Sequence, residues 1–519
     1  LGNKSDPDIE EISIANSKGF STNYSNKYLE EIKAIPSEVK EEEILNRLDL
    51  RDEEIFTIDS KYTKDMDDAL SLKILPNGNF LLGVHIANVS HYVKRNSEIF
   101  NDAINRGTSV YMANSVIPML HFVLSNGICS LNPEVDRLAK SCIMEITPKG
   151  KVIDYEIKDS VINSKKKMTY EEVNMILEDG IIPPGYEPYI QTLLNLNKLT
   201  SILSKNREKE GYIEFASNEI KVITDSANNP IEFRKIHQGP AEKMVEYSMV
   251  LANEVVASHI YWMELPFVYR IHGAPDQYKV EDTMDLLHEL GYRLDMLNNI
   301  SSPHLLQQVL KQLSVKEEYQ ALSSLFLRTM SKAKYSVDNI GHFALGLDCY
   351  THFTSPIRRA PDLLVHTLLD MYENSNINNI DFEKLEEKLK EHCNHASYKE
   401  RQADIAEMEV NKLRMVQYME NHIGDTFMGR ILEIYPNEVN IITEDNIYAV
   451  VPIEYIAGNN IRYNSSSKSL RGCNASYYIG NKVESRVLAV SKEDRKVICS
   501  IEKNLSIKNK PKVKTLKLN

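Results

Sequence analysis

The sequence predicts an α+β protein in which a large mixed α/β domain is followed by a small β-barrel of the oligonucleotide-binding type. Its 519 residues exceed what one hydrophobic core supports, since single cores rarely grow beyond about 250 to 300 residues. Up to about residue 420, apolar runs of strand length give way to apolar residues at helical spacing. From Ile423-Gly424-Asp425 onward the helical spacing stops. The runs TFMGRILEI, EVNIIT, IYAVVPI, KVESRVLAV and KVICSI then follow within about 80 residues, as a small closed barrel requires.

Residues 1–50 are rich in Glu and Lys, with weak amphipathic periodicity in YLEEIKAI and EEEILNRL, and read as a lead-in segment outside the core. The domain at 51–380 opens with EIFTI and DALSLKIL, then Pro76-Asn77-Gly78-Asn79, then FLLGVHIANV. Two apolar runs around an Asn-Gly pair predict a β-hairpin. VIDYEIKDSVI (152–162) and EIKVITDSANNPIEF (219–233) continue in strand texture, and 244–260, 280–292 and 305–313 repeat apolar residues at helical spacing. Residues 381–422 form a charged helical extension, 423–503 the barrel, and 504–519 a flexible basic tail with Lys508, Lys510, Lys512, Lys514 and Lys517 and no acidic residue.

With 42% hydrophobic and 26% charged residues, the composition is that of a soluble globular protein. The apolar runs fall far below the roughly 18 residues of a membrane span, and the opening LGNKSDPDIEE has no secretory apolar core. A cytoplasmic location without membrane contact is expected, and the initial Leu suggests a piece of a longer or processed chain. The six cysteines show neither Cys-x-x-Cys nor zinc spacing and read as reduced thiols. A net charge of -13 argues against a generic polyanion binder, so any nucleic-acid affinity must come from local basic surfaces.

TIDSKYTKDMDDAL (57–70) places Asp59, Asp65, Asp67 and Asp68 within ten residues, in the loop between a short strand and the hairpin. Crowded carboxylates repel unless cations sit between them, and hard oxygen ligands suit Mg²⁺ or Mn²⁺. In an extended segment Asp67 and Asp68 face opposite sides, so the set serves two metals, or one metal and a catalytic proton site. The bland alternative is an acidic surface turn. In GHFALGLDCYTHFTSPIRRAPDLLVHTLLD (341–370), Ser355-Pro356 has the form of an N-cap followed by proline at the first helical position. A helix starting at Pro356 carries Arg358 and Arg359 in its first turn. Cations there oppose the helix dipole unless an anionic ligand joins them; the alternative is a surface pair bonded to carboxylates. Acidic loop and arginine-bearing helix start together describe a phosphodiester site.

These segments, with VHIANVSHYV (84–93), NRGTSVYMANSVIPMLHFVLSNGICSLNPEVDRL (105–138), MVEYSMVLANE (244–254), FVYRIHGAP (267–275) and LRTMSKAKYS (327–336), resemble in order the signature blocks of the ribonuclease II and ribonuclease R superfamily. LSNGICSLNPEVDRL and the terminal barrel make the chain most similar to the ribonuclease R branch. The resemblance implies an RNB catalytic domain, an S-one-like barrel, and a processive 3′-to-5′ exoribonuclease. Such an enzyme acts as a monomer on single-stranded RNA 3′ ends, releases nucleoside 5′-monophosphates and uses Mg²⁺, with Mn²⁺ able to stand in. It further implies that Asp59, Asp65, Asp67 and Asp68 are the metal site, that Asp67 is the member most tied to catalysis, and that Arg358, with Arg359 beside it, contacts the scissile phosphate. Tyr111 matches an aromatic stacking on the 3′-terminal nucleotide, Glu246 a carboxylate near the terminal sugars, and Glu407 a carboxylate facing the channel. Asn88, Ala360 and Met408 depart from the family pattern, and the barrel is divergent, with Tyr435 and Tyr448 as its candidate stacking rings. Two cold-shock barrels that usually precede the catalytic domain are not in this sequence, which implies weaker RNA gathering. The rivals are an RNA-binding scaffold that keeps the fold without the activity, and a sugar-nucleotide transferase, which leaves the arginines and the barrel unexplained.

Overall fold

The computed structural model describes residues 9–113, 115–215, 220–225, 229–236, 238–294, 302–374, 379–506 and 514–516. Three short helices, Ile9–Ser17, Asn26–Lys33 and Glu41–Ile44, precede the first strands among the described residues: β1 (Leu48–Leu50), β2 (Phe56–Asp59), β3 (Asp68–Ile74), β4 (Phe80–Ala87), β5 (Val110–Tyr111), β6 (Val116–Ile117), β7 (Asp136–Ile146), β8 (Val152–Asn163) and β9 (Lys166–Thr169). Seven of them form one sheet in the order β1-β8-β7-β4-β3-β2-β9, while β5 and β6 make a separate two-stranded hairpin. The Asn-Gly hairpin is present as expected. Gly78 adopts φ 83°, a conformation that glycine enters without the steric penalty of a side chain, and its N–H donates to Leu75 O at 2.8 Å. Strand β4 is buried along almost its whole length, because the helix Pro240–Trp262 packs on it and the helix Ile190–Glu210 packs on neighbouring β3. Hence it reads as a continuous apolar run rather than an alternating one.

Pro240 stands at the first position of its helix, and Glu242 Oε2 reaches back to accept the Gly239 N–H at 2.9 Å, so the helix start is closed by its own third residue. The charged stretch after residue 380 is one helix, Phe382–Met419. The five barrel runs become Thr426–Ile434, Glu438–Thr443, Tyr448–Pro452, Lys482–Ser491 and Lys496–Asn504, closed into one barrel. An unexpected three-stranded sheet, Arg462–Asn464, Ser469–Arg471 and Ser476–Tyr477, is inserted between the third and fourth of these.

Two expectations change. The lead-in segment is part of the core: Tyr28 and Ile32 join the main cluster. Ile14, Ala15 and Phe20 pack with Val110, Ile117, Ala403, Ala406, Val410 and Leu413. The apolar side chains of the first helix, Ile9–Ser17, find partners on the long helix near the other end of the chain, while the second, Asn26–Lys33, packs against the helix Glu98–Arg106. In the tail, Lys514–Leu516 pairs in parallel with Tyr292–Leu294, and the rest from residue 507 lies outside the described residues. All six cysteines are free, with only Cys473 exposed. Among the described residues no helix is long and apolar enough to cross a membrane.

Candidate active site

The chain leaves β2 at Asp59 and re-enters the sheet as β3 at Asp68, so the acidic loop sits at a sheet end, where the sequence placed it. Its backbone is pinned from several directions. Ser130 Oγ accepts the Met66 N–H at 3.1 Å and donates to Lys64 O at 2.8 Å. The Leu131 N–H donates to Met66 O at 3.0 Å, and the Ala87 N–H to Asp67 O at 2.8 Å. Lys167 Nζ, arriving on β9, donates to the carbonyls of Thr63 and Lys61. A loop held this way presents its carboxylates without losing entropy when a ligand arrives.

Asp67 is 4% exposed. Its Oδ1 accepts the Ile357 N–H at 2.8 Å. Its Oδ2 accepts no hydrogen bond and lies 3.4 Å from Arg358 Nε. Arg358 in turn donates through Nη2 to Ser355 Oγ at 2.9 Å. The helix expected from Pro356 begins instead at Ala360. Ser355 O accepts the N–H groups of Arg358 and Arg359 in a turn, while the Ser355 N–H donates to Asp362 Oδ1 at 2.8 Å. The Ser355 hydroxyl that would cap the helix accepts Arg358 Nη2 instead, while Asp362 holds the Ser355 N–H, and both arginines stand in the turn before the first helical residue. The two then differ in use. Arg358 is 41% exposed over the aspartates, whereas Arg359 Nη2 is held at 2.7 Å by the fully buried Asp362.

Tyr111, at the end of β5, is also 41% exposed. Its hydroxyl donates to Asp65 Oδ2 at 3.4 Å, and its N–H to Glu407 Oε1 on the long helix at 3.1 Å. The hairpin and the arginine turn are joined, since Arg358 O accepts the Ser109 N–H at 2.9 Å. The fold therefore gathers Asp59, Asp65, Asp67, Asp68, Arg358 and Tyr111, with Glu407 reaching them through the Tyr111 backbone. Glu246 accepts the Tyr212 hydroxyl at 3.0 Å, and burial raises its carboxyl above the ordinary range. Sequence reasoning missed Lys167 and Tyr170, because only the parallel pairing of β9 with β2 carries them to the aspartates. Burial, and then the charges of Asp68 and Asp59, push the Tyr170 hydroxyl up. The run Lys165-Lys166-Lys167 was the one available signal.

Burial holds Asp67 well above the usual carboxylate range against the opposing pull of Arg358. Burial, then the Asp68 charge, does the same to Asp59. Asp68 is raised by burial against Arg358 and Arg359. Among the described residues, no three His, Cys, Asp or Glu side chains are gathered as a ready metal cage. The donor set nonetheless fits a hard divalent cation. It offers an orphaned buried carboxylate oxygen and surplus negative charge, and Mg²⁺ needs only one or two carboxylates when a phosphate completes its shell.

The departures lie off this centre. Asn88, 2% exposed, donates to Asp159 Oδ1 at 3.1 Å, and its Oδ1 lies 3.0 Å from Ser90 Oγ. Ala360 is buried, and Met408 is exposed beside Glu407. On the barrel, the rings of Tyr435 and Tyr448 are both exposed.

Comparison with known proteins places this geometry. Residues 47–375 match the RNB domain family. The chain is 39% identical over 492 residues to Ribonuclease R 1 of Lactococcus lactis, covering 94% of this chain and 60% of that protein. It is 40% identical over 463 residues to Ribonuclease R of Thermotoga maritima, covering 88% and 64%. It thus spans less than two thirds of the length of these relatives. Among solved structures, Mycoplasma genitalium RNase R in complex with ribose methylated single-stranded RNA superposes with a TM-score of 0.90 at 28% identity, covering 96% of this chain and 79% of that one. Yeast Ssd1, a pseudonuclease, shares the fold at a TM-score of 0.71 and 19% identity. The match across 47–375, on a sheet whose end carries the acidic loop and the arginine turn, shows that the chain belongs to the RNB family.

Proposed function

We propose that the chain is a 3′-to-5′ exoribonuclease, a cytoplasmic monomer that degrades single-stranded RNA processively from its 3′ end to nucleoside 5′-monophosphates with Mg²⁺. The observation that carries the reading is Asp67: a buried carboxylate with one oxygen fixed by the Ile357 N–H, the other without a hydrogen bond, and Arg358 3.4 Å away. The names of the relatives, and the single-stranded RNA in the Mycoplasma genitalium complex, support the same reading.

Asp59, Asp65, Asp67 and Asp68 would hold the cation, which supplies a water of lowered pKa and neutralises phosphate charge. The chain's own residues do the rest. Arg358, half-exposed and braced by Ser355 Oγ, offers its free N–H groups to the phosphate oxygens on which charge grows. The Tyr111 ring takes the terminal base by stacking, which tolerates any base and suits digestion of any sequence. Glu246, with Tyr212 beside it, offers polar atoms to terminal sugars, where a 2′-hydroxyl distinguishes RNA from DNA.

The test is digestion of a 5′-labelled single-stranded RNA with Mg²⁺ by the natural chain and by Asp67→Asn. Progressive shortening by the first, and RNA binding without shortening by the second, is the expected outcome. Equal degradation by both removes Asp67 from the chemistry, and binding without degradation by the natural chain makes it an RNA-binding scaffold.

A further inference from the structure

Glu11 sits in the helix Ile9–Ser17 and is 1% exposed. Its Oε1 accepts from Arg414 Nε at 2.8 Å and lies 2.6 Å from Arg414 Nη2, whose side chain is 5% exposed. Its Oε2 accepts the Ser115 hydroxyl at 3.3 Å. Ser115 precedes β6, in which Val116 stands directly opposite Tyr111. Val110 and Ile117, the other pair of that hairpin, are buried in the cluster formed by Ile14, Ala15 and the long helix. The same short helix is tied to the barrel as well. Lys18 and Arg495 both bind Glu409, the former at 2.6 Å.

Replacing a buried ion pair by apolar residues of similar volume is often neutral or stabilising, so the pair is weak support for stability alone. Directional hydrogen bonds instead hold groups at a set position. Here the group at the end of the chain of contacts is a two-residue strand, β5, with little ladder of its own. Its ring lies within hydrogen-bond reach of Asp65.

We propose that the helix Ile9–Ser17 braces the Tyr111 hairpin, with Glu11 as the positioning residue that sets where the terminal base stacks. This rests on the exoribonuclease reading of the preceding section. Glu11 holds Arg414 on one oxygen and Ser115 on the other, so the hairpin is tethered to the long helix from its turn, while Glu407 tethers it from the Tyr111 N–H. The stacking ring is thereby fixed from two sides.

The test uses the full chain carrying Asp67→Asn, so that RNA stays uncut, and an RNA with 2-aminopurine at its 3′ end and a dye at its 5′ end. Stacking on Tyr111 quenches the 2-aminopurine, and Tyr111→Ala is expected to abolish that quench. Glu11→Gln and, separately, Ser115→Ala are expected to reduce the stacked population about threefold, the effect of one lost hydrogen bond. Affinity read from the 5′ dye falls by no more than the same factor, because contacts along the rest of the RNA are untouched. Ser115→Ala removes only a hydroxyl, so its melting temperature is expected to fall by no more than about 2 °C, the scale of one lost hydrogen bond in a large domain, and the chain stays folded at the assay temperature, which separates positioning from loss of fold. A full quench in both variants overturns the brace, as does a quench insensitive to Tyr111→Ala. Failure of the natural chain to degrade RNA overturns the nuclease instead and leaves the quench readable.

Discussion

Two clusters of buried charge lie on the same seven-stranded sheet and both reach the helix Ala360–Asn374, yet they are built to opposite ends. Around Lys140, 1% exposed, the chain supplies all the charge it needs: Nζ lies 2.5 Å from Asp159 Oδ1 and 2.8 Å from Asp370 Oδ1. Ser90 donates to Asp370 and Asn88 to Asp159. Burial alone would raise the Asp370 carboxyl, but Lys140 and Ser90 hold it below the ordinary range. Around Asp67 four carboxylates face Arg358, with Arg359 and Lys167 acting on Asp68 and Asp59, and burial still wins. The same residue types in different proportion give a finished strut in one place and a charge deficit in the other. A deficit that the chain leaves open is where a cation and a phosphate belong.

The largest effect expected is on turnover. Asp67→Asn should slow RNA hydrolysis on the order of 10³-fold, the scale of removing one preorganised stabilising group. In the absence of cation it should melt higher than the natural chain, because a poorly paired buried charge is gone. Lys140→Met should do the reverse, destabilising the fold by about 3 kcal/mol or more by leaving two carboxylates unpaired. Denaturant titration reads this, while turnover per folded molecule stays the same. If both variants melt lower by like amounts, the two clusters are not different in kind.

Adding Mg²⁺ at 100 times its dissociation constant should stabilise the natural chain by about 2.7 kcal/mol, and Asp67→Asn by much less. The pH response has the matching sign. Raised carboxyls bind protons in the fold that the unfolded chain has released, so without cation the contribution of Asp59, Asp67 and Asp68 to stability falls as pH rises from about 4 into the neutral range. The Asp370 contribution is present above about pH 4 and is lost as pH falls through its lowered folded value. Melting curves between acid and neutral pH, with and without Mg²⁺, separate the two. The smallest effect is that of Asn88→Asp, which trades a donor to Asp159 for a like charge and should destabilise by about 1 kcal/mol. A melting temperature equal to that of the natural chain would show that the amide contributes nothing to the strut.

Much of this arrangement is legible in the sequence, for reasons that are local. An Asn-Gly pair between apolar runs carries its own turn, and five alternating runs carry their own barrel. The acidic loop is legible because four like charges in one segment need a cause. What is not legible depends on distant partners. Ser355 looked like a cap because spacing does not reveal that its hydroxyl is occupied by the Arg358 guanidinium. Tyr170 and Lys167 enter the site only through the pairing of β9 with β2. Residues 9–33 looked peripheral because their apolar side chains are sparse and their partners are distant in sequence, the long helix for Ile14 and Ala15 and the helix Glu98–Arg106 for Asn26–Lys33.

That distance sets a time as well as a contact. Glu11 and its partner Arg414 are 403 residues apart, and a ribosome adds about 5 to 20 residues each second. The first helix therefore waits roughly 20 to 80 s after its own synthesis before the cation it closes upon exists. During that interval its carboxylate stays in water and its Ile14 face is uncovered, so the brace must be among the last parts of the molecule to lock.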